Sequence, residues 1–98
     1  MTYNSDMIRS FKNKGLRLFA ETGDARKLSV ENADRVRRIL LQINAATKPE
    51  DMNLPGLRFH ELSGDRKGTY AVNASGNYRI TFRWEAPDAI EVDLEDYH

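Results

Sequence analysis

Tyr78-Arg79-Ile80-Thr81-Phe82-Arg83-Trp84, followed beyond Ala86-Pro87-Asp88 by Ala89-Ile90-Glu91-Val92-Asp93-Leu94-Glu95, decides the fold. Both runs alternate apolar and polar side chains, the period of a strand with one face on a core and one in water. Working back toward the N-terminus, Ser75-Gly76-Asn77 is a tight-hairpin signal that closes a strand over 69–74. Ser63-Gly64-Asp65-Arg66-Lys67-Gly68 turns the chain between that strand and a shorter one over 58–62. Upstream of Leu57 the period changes. Val30, Ala33, Val36, Ile39, Leu40 and Ile43 recur at steps of three and four, predicting a helix from an N-cap at Ser29 to about Ala46, with Glu31 in its first turn. Leu16, Phe19 and Ala20 share a face of an earlier helix over 14–22, and Gly23 stands where a helix C-terminal glycine belongs. Met7-Ile8-Arg9-Ser10-Phe11-Lys12 alternates loosely and reads as a first strand, while Pro49 ends the second helix and 50–56 connects to the sheet. The sum is an α+β domain: two N-terminal helices packed on one face of a mainly antiparallel sheet.

The 98 residues suffice for one domain, expected over 7–98 with residues 1–6 as an N-terminal extension and Met7 a second candidate start. Hydrophobic content of 40% beside 31% charged residues excludes a disordered chain. There is no cysteine, so disulfides, thiolate chemistry and cysteine metal sites are ruled out. The two histidines show no zinc-ligand spacing, and neither a metal nor a cofactor is implied. No secretion signal or membrane-spanning run is recognisable, and a cytoplasmic protein without membrane contact is expected.

Net charge is zero but unevenly distributed: +4 over residues 1–44, +2 over 45–83 and −6 over 84–98. Such a balance argues against tight, indiscriminate nucleic-acid binding and leaves room for a basic patch opposite an acidic strand. Arg35, Arg37 and Arg38 lie on the second helix, and Arg66 and Lys67 in the turn before the second strand of the sheet. Taken alone, each group is equally a solvated surface.

The end of the sequence, Glu95-Asp96-Tyr97-His98, places a carboxylate, a phenol and an imidazole within one short reach. These groups matter only if the preceding strand holds them against the domain. The other imidazole, His60, alternates with Phe59 and Glu61, and imidazoles titrate near neutrality. Asp96 falls on the parity of Ile90, Val92 and Leu94, so it extends a core-facing series. On the other face Arg79, Thr81 and Arg83 stand opposite Glu91, Asp93 and Glu95, a pattern of cross-strand ion pairs. Arg79, nearest the hairpin, is expected to remain open to a phosphate. Composition and spacing alone leave the function unresolved.

Taken together, Asp34-Arg35-Val36-Arg37-Arg38-Ile39-Leu40, Pro49-Glu50-Asp51-Met52-Asn53-Leu54-Pro55-Gly56 and Arg58-Phe59-His60-Glu61-Leu62 resemble the HigB (host-inhibition-of-growth) toxins, within the RelE superfamily. Met7-Ile8-Arg9-Ser10-Phe11-Lys12, Gly64-Asp65-Arg66-Lys67-Gly68, Asn77-Tyr78-Arg79-Ile80-Thr81-Phe82-Arg83 and Asp93-Leu94-Glu95-Asp96-Tyr97-His98 extend the resemblance over 7–98. It implies a RelE-like fold and a ribosome-dependent mRNA endoribonuclease acting by metal-free attack of the 2′-hydroxyl. It implies as partners the 70S ribosome with its mRNA, and a helix-turn-helix antitoxin (HigA-like) through whose complex alone operator DNA is bound. By the same resemblance His60, Asp96, Tyr97 and His98 are catalytic, and Arg79 contacts phosphate. Arg35, Arg37, Arg38, Arg66 and Lys67 meet RNA or the ribosome. Ser63 stands where family members often carry lysine, a contact that Arg66 or Lys67 would replace. Two rivals are a catalytically inactive module that represses transcription with its antitoxin, and a ribonuclease that needs no ribosome. Tolerated expression would mark the first, and cleavage of naked RNA the second.

Overall fold

The computed structural model describes residues 8–28, 30 and 32–96. Helix α1 spans Lys14–Thr22 as expected. Asn13 caps it by accepting the Leu16 amide at 2.9 Å, and Gly23 closes it in the left-handed region (φ 80), donating to the Phe19 carbonyl. Gly15 is required for a different reason, since a Cβ there would lie 2.6 Å from the Lys27 carbonyl oxygen. Helix α2 spans Ala33–Ala45 and buries Val36, Ile39, Leu40 and Ile43, the stripe expected from the sequence. Burial of these four side chains contributes on the order of 6–12 kcal/mol gross. Its start differs from expectation: Asn32, not Ser29, is the N-cap, because the Asn32 Oδ1 accepts the Arg35 amide at 3.1 Å. Val30 therefore precedes the helix and packs half-buried against the core, while Ser29 and Glu31 lie outside the described residues.

The sheet is antiparallel throughout, in the order β1 (His60–Glu61), β2 (Thr69–Ser75), β3 (Tyr78–Glu85), β4 (Asp88–Asp96). Val72, Ile80, Phe82, Ala89 and Val92 are fully buried in one core with Leu16 and the α2 stripe. This is the α+β arrangement with one sheet face covered. Strand β1 is shorter than the expected 58–62 because Arg58 adopts φ 54, a left-handed conformation that breaks extended backbone. Residues 8–12 form two isolated parallel bridges to β4, Ile8 to Ala89 and Phe11 to Val92, instead of a full strand. The cause lies in β4. Glu91 sits at φ 53 in a bulge where the register against β3 shifts, and its amide donates to the Ser10 Oγ at 2.8 Å, interrupting the ladder. The same bulge corrects the face assignment: Ile90 stands opposite Arg83, whereas Val92 and Leu94 keep the core parity. No helix among the described residues is long and apolar enough to cross a membrane.

Candidate active site

Strand register turns the sheet face away from the helices into a grid. One row aligns Asn73, Arg79 and Glu95; the next aligns His60, Ala71, Thr81 and Asp93; a third brings Thr69, Arg83 and Ile90 together. Directly paired residues project from the same face, so His60, Arg79, Thr81 and Glu95 share it. With strands about 4.8 Å apart, the His60 backbone lies about 10 Å from that of Thr81.

His60 is exposed on the edge strand. Its Nδ1 lies 2.9 Å from the Arg58 carbonyl oxygen. A carbonyl only accepts, so a hydrogen bond there places a proton on Nδ1 and leaves Nε2 for other contacts. The left-handed Arg58 thus positions the imidazole through its backbone.

Glu95 is the centre of the face. Arg66 forks onto it with Nη1 at 3.0 Å and Nη2 at 2.5 Å, Arg79 donates from Nε at 3.3 Å and Nη2 at 3.1 Å, and the Thr81 hydroxyl donates at 2.8 Å. The Glu95 side chain is only 17% exposed and that of Arg79 19%. The Arg66 fork foremost, with the Thr81 hydroxyl and Arg79, holds the carboxyl down at about 2 against the opposing effect of burial. Arg79 is accordingly not open, as the sequence led one to expect, but paired, because register places it directly opposite a carboxylate. Arg66, 29 residues distant from Glu95 in sequence, is carried onto the same group by the 3-10 turn Gly64–Arg66.

Beside this cluster lies a cleft of about 190 Å³ whose wall includes Lys12, Arg66, Thr69 and Arg83 with the carboxylates Asp65 and Glu91. The Arg83 Nη1 donates to the Thr69 Oγ1 at 3.3 Å, and among the described residues Arg83 forms no ion pair. It is an exposed guanidinium within the grid and was expected only as a surface partner of β4; the bulge at Glu91 removes that partner.

The remaining expected site residues separate. Asp96 pairs with Tyr78 on the helix-side parity at the exposed end of β4, so the sheet puts Glu95, not Asp96, on the His60 face. Tyr97 and His98 lie outside the described residues. Arg35 is structural: its Nη2 donates to the carbonyls of Gly56 at 2.9 Å and Asn73 at 3.3 Å, fastening α2 to β2. Arg37, Arg38 and Lys67 are exposed. Sequence reasoning missed the Glu95 clasp, the buried Thr81 and the backbone role of Arg58. Only the Arg79–Glu95 pairing carried a sequence signal, the matching alternation of β3 and β4.

Comparison with known proteins fits this arrangement. Residues 9–98 match the family model described as the RelE-like toxin of the type II toxin-antitoxin system HigB. The chain is 38% identical over 92 residues to Endoribonuclease HigB of Proteus vulgaris, covering 94% of this chain and all of that protein. It is 33% identical over 95 residues to Toxin HigB-1 of Vibrio cholerae serotype O1, covering 93% and 98% of the two. With a match running from the first bridge residues to the end of the sequence, the chain belongs to the HigB-like toxins, RelE-like toxins of type II toxin–antitoxin systems.

Proposed function

We propose that this toxin is a ribosome-dependent endoribonuclease that cuts translated mRNA by metal-free transesterification. The observation carrying this reading is that the exposed His60 shares one sheet face with Arg79 and Arg83, onto which Arg66 is drawn by Glu95. The likeness to Endoribonuclease HigB adds support. Of His60 and His98, one takes the proton from the ribose 2′-hydroxyl and the other gives a proton to the departing 5′-oxygen. The O2′ attacks phosphorus, the P–O5′ bond breaks, and the products are a 2′,3′-cyclic phosphate and a 5′-hydroxyl. Arg79 and Arg83 stabilise charge on the pentavalent phosphate, Tyr97 stacks on or hydrogen-bonds the RNA, and Asp96 holds the end of the chain in place.

Dependence on the ribosome follows from electrostatics. A chain of zero net charge has little attraction for free RNA, so message must be presented to it. The exposed Arg37 and Arg38 on α2, with Lys67, form the surface that docks on ribosomal RNA. The partner in the resting cell is a helix-turn-helix antitoxin, and operator DNA is reached through that complex. The deciding experiment is primer extension on message from cells expressing the intact chain, compared with a chain lacking His98. Cleavage within translated codons by the first and not the second supports the proposal; equal cleavage, or none by either, refutes it.

A further inference from the structure

Glu95 poses a chemical problem for any RNA-cleaving site on this face. A carboxylate sits where two guanidiniums and a hydroxyl converge, the arrangement that would suit a phosphate. One interpretation makes it a placeholder that substrate phosphate displaces. The geometry argues otherwise. Glu95 is fixed to β4, its backbone is in register with Arg79, and its side chain is largely enclosed. It cannot swing far, and once expelled it would still repel the incoming phosphate at short range. Removing its charge would leave Arg66 and Arg79 close together without a counter-ion.

We propose that Glu95 is a positioning residue of the cleavage site: without touching the message, it locks Arg66 and Arg79 side by side. The same contacts tie the 3-10 turn Gly64–Arg66 and strand β3 to the end of β4, from which Asp96 continues. Arg66 then meets the RNA with its guanidinium in an orientation prepared before substrate arrives, and Arg79 contributes its positive charge beside it. The low exposure of Thr81 (1%) fits this role, since its hydroxyl is buried against the carboxylate and turned away from solvent. Asp93, the other acidic side chain near Arg66, accepts the Leu94 amide at 2.9 Å and is the outer neighbour of the cluster. This inference rests on the nuclease reading above.

The test uses the full chain and its Glu95→Gln and Glu95→Asp variants, assayed for cleavage on ribosomes programmed with message. Ile43→Val, a core change remote from the face, serves as a destabilised control. We expect Glu95→Gln to lower kcat about a hundredfold with KM little changed, as for a misplaced catalytic constellation. Glu95→Asp, which keeps the charge on a shorter arm, should recover part of the loss, and Ile43→Val should retain activity. Guanidinium exchange of the Arg79 NεH and the Arg66 NηH groups, followed by NMR, should quicken in Glu95→Gln. A lower KM at unchanged kcat would establish the placeholder instead and overturn the proposal. Losses matching Ile43→Val, or unchanged exchange, would also overturn it. Inactivity of the unmodified chain would refute the nuclease reading, whereas an active chain insensitive to Glu95→Gln would refute only the clasp.

Discussion

Replacing Arg66 with Met probes the clasp through stability, independently of cleavage. Arg66→Met keeps the length and apolar stem of the side chain but deletes the fork on Glu95 at 3.0 and 2.5 Å. Hydrogen bonds to charged groups contribute about 1.5–3 kcal/mol. Arg66 is 42% exposed, however, so solvent screening reduces its share to about 1–2 kcal/mol at neutral pH. For a domain of this size that lowers Tm by about 5–15 °C. The effect depends on pH with a definite sign. The Glu95 carboxyl titrates at about 2 when folded against an ordinary 4.5, so its contribution is complete above 4.5 and fades as pH falls toward 2. Because Arg66 is the foremost cause of that depression, the variant should lose less stability than the parent over this window. The Tm difference is therefore expected to shrink between pH 6 and pH 3, followed by circular dichroism at constant ionic strength. A difference equally large at both pH values would refute the reasoning.

Other substitutions separate structural from functional side chains. His60→Ala should leave Tm within a degree or two, because the ring is exposed, while lowering cleavage about 10²–10⁴-fold in primer extension. Arg37→Glu with Arg38→Glu should weaken ribosome co-sedimentation and flatten its salt dependence without unfolding the chain. Arg35→Glu should instead reduce thermal stability by about 1–3 kcal/mol, since it leaves the Gly56 and Asn73 carbonyls without their donor. Gly15→Ala should cost about 1–3 kcal/mol by driving a methyl against the Lys27 carbonyl, measurable by denaturant unfolding.

Local periodicity made the architecture legible. The α2 stripe and the alternation of β3 and β4 each encode one buried face, and helix α1 ends at Thr22, just before the expected glycine. What escaped were single-residue backbone choices. Left-handed Arg58 shortens β1, and the bulge at Glu91 moves Ile90 to the other face, because one extra residue reverses every assignment beyond it. The Asn32 cap was hidden because Ser29 offers a similar side chain nearby. For the site, alternation was enough to pair Arg79 with Glu95. No pattern could bring in Arg66, which arrives through a turn rather than along a strand. The acidic balance of residues 84–98 is likewise partly neutralised: Glu95 is covered by Arg66 and Arg79, and Glu85 and Asp88 both pair with Arg9.

The seam between residues 8–12 and β4 has a kinetic meaning. Ser10 and Glu91 are 81 positions apart, and closing a loop of that size costs about 4 kcal/mol beyond the constant of closure. A few hydrogen bonds and the burial of Ile8 must offset it, so this seam docks late in folding and opens early in local unfolding. A growing polypeptide cannot zip it before Val92 has been synthesised, which leaves the nascent toxin unfinished until strand β4 is made. Hydrogen exchange should find the amides of Arg9 and Lys12 giving up protection before those of β3; the reverse order would show that the seam belongs to the folding nucleus.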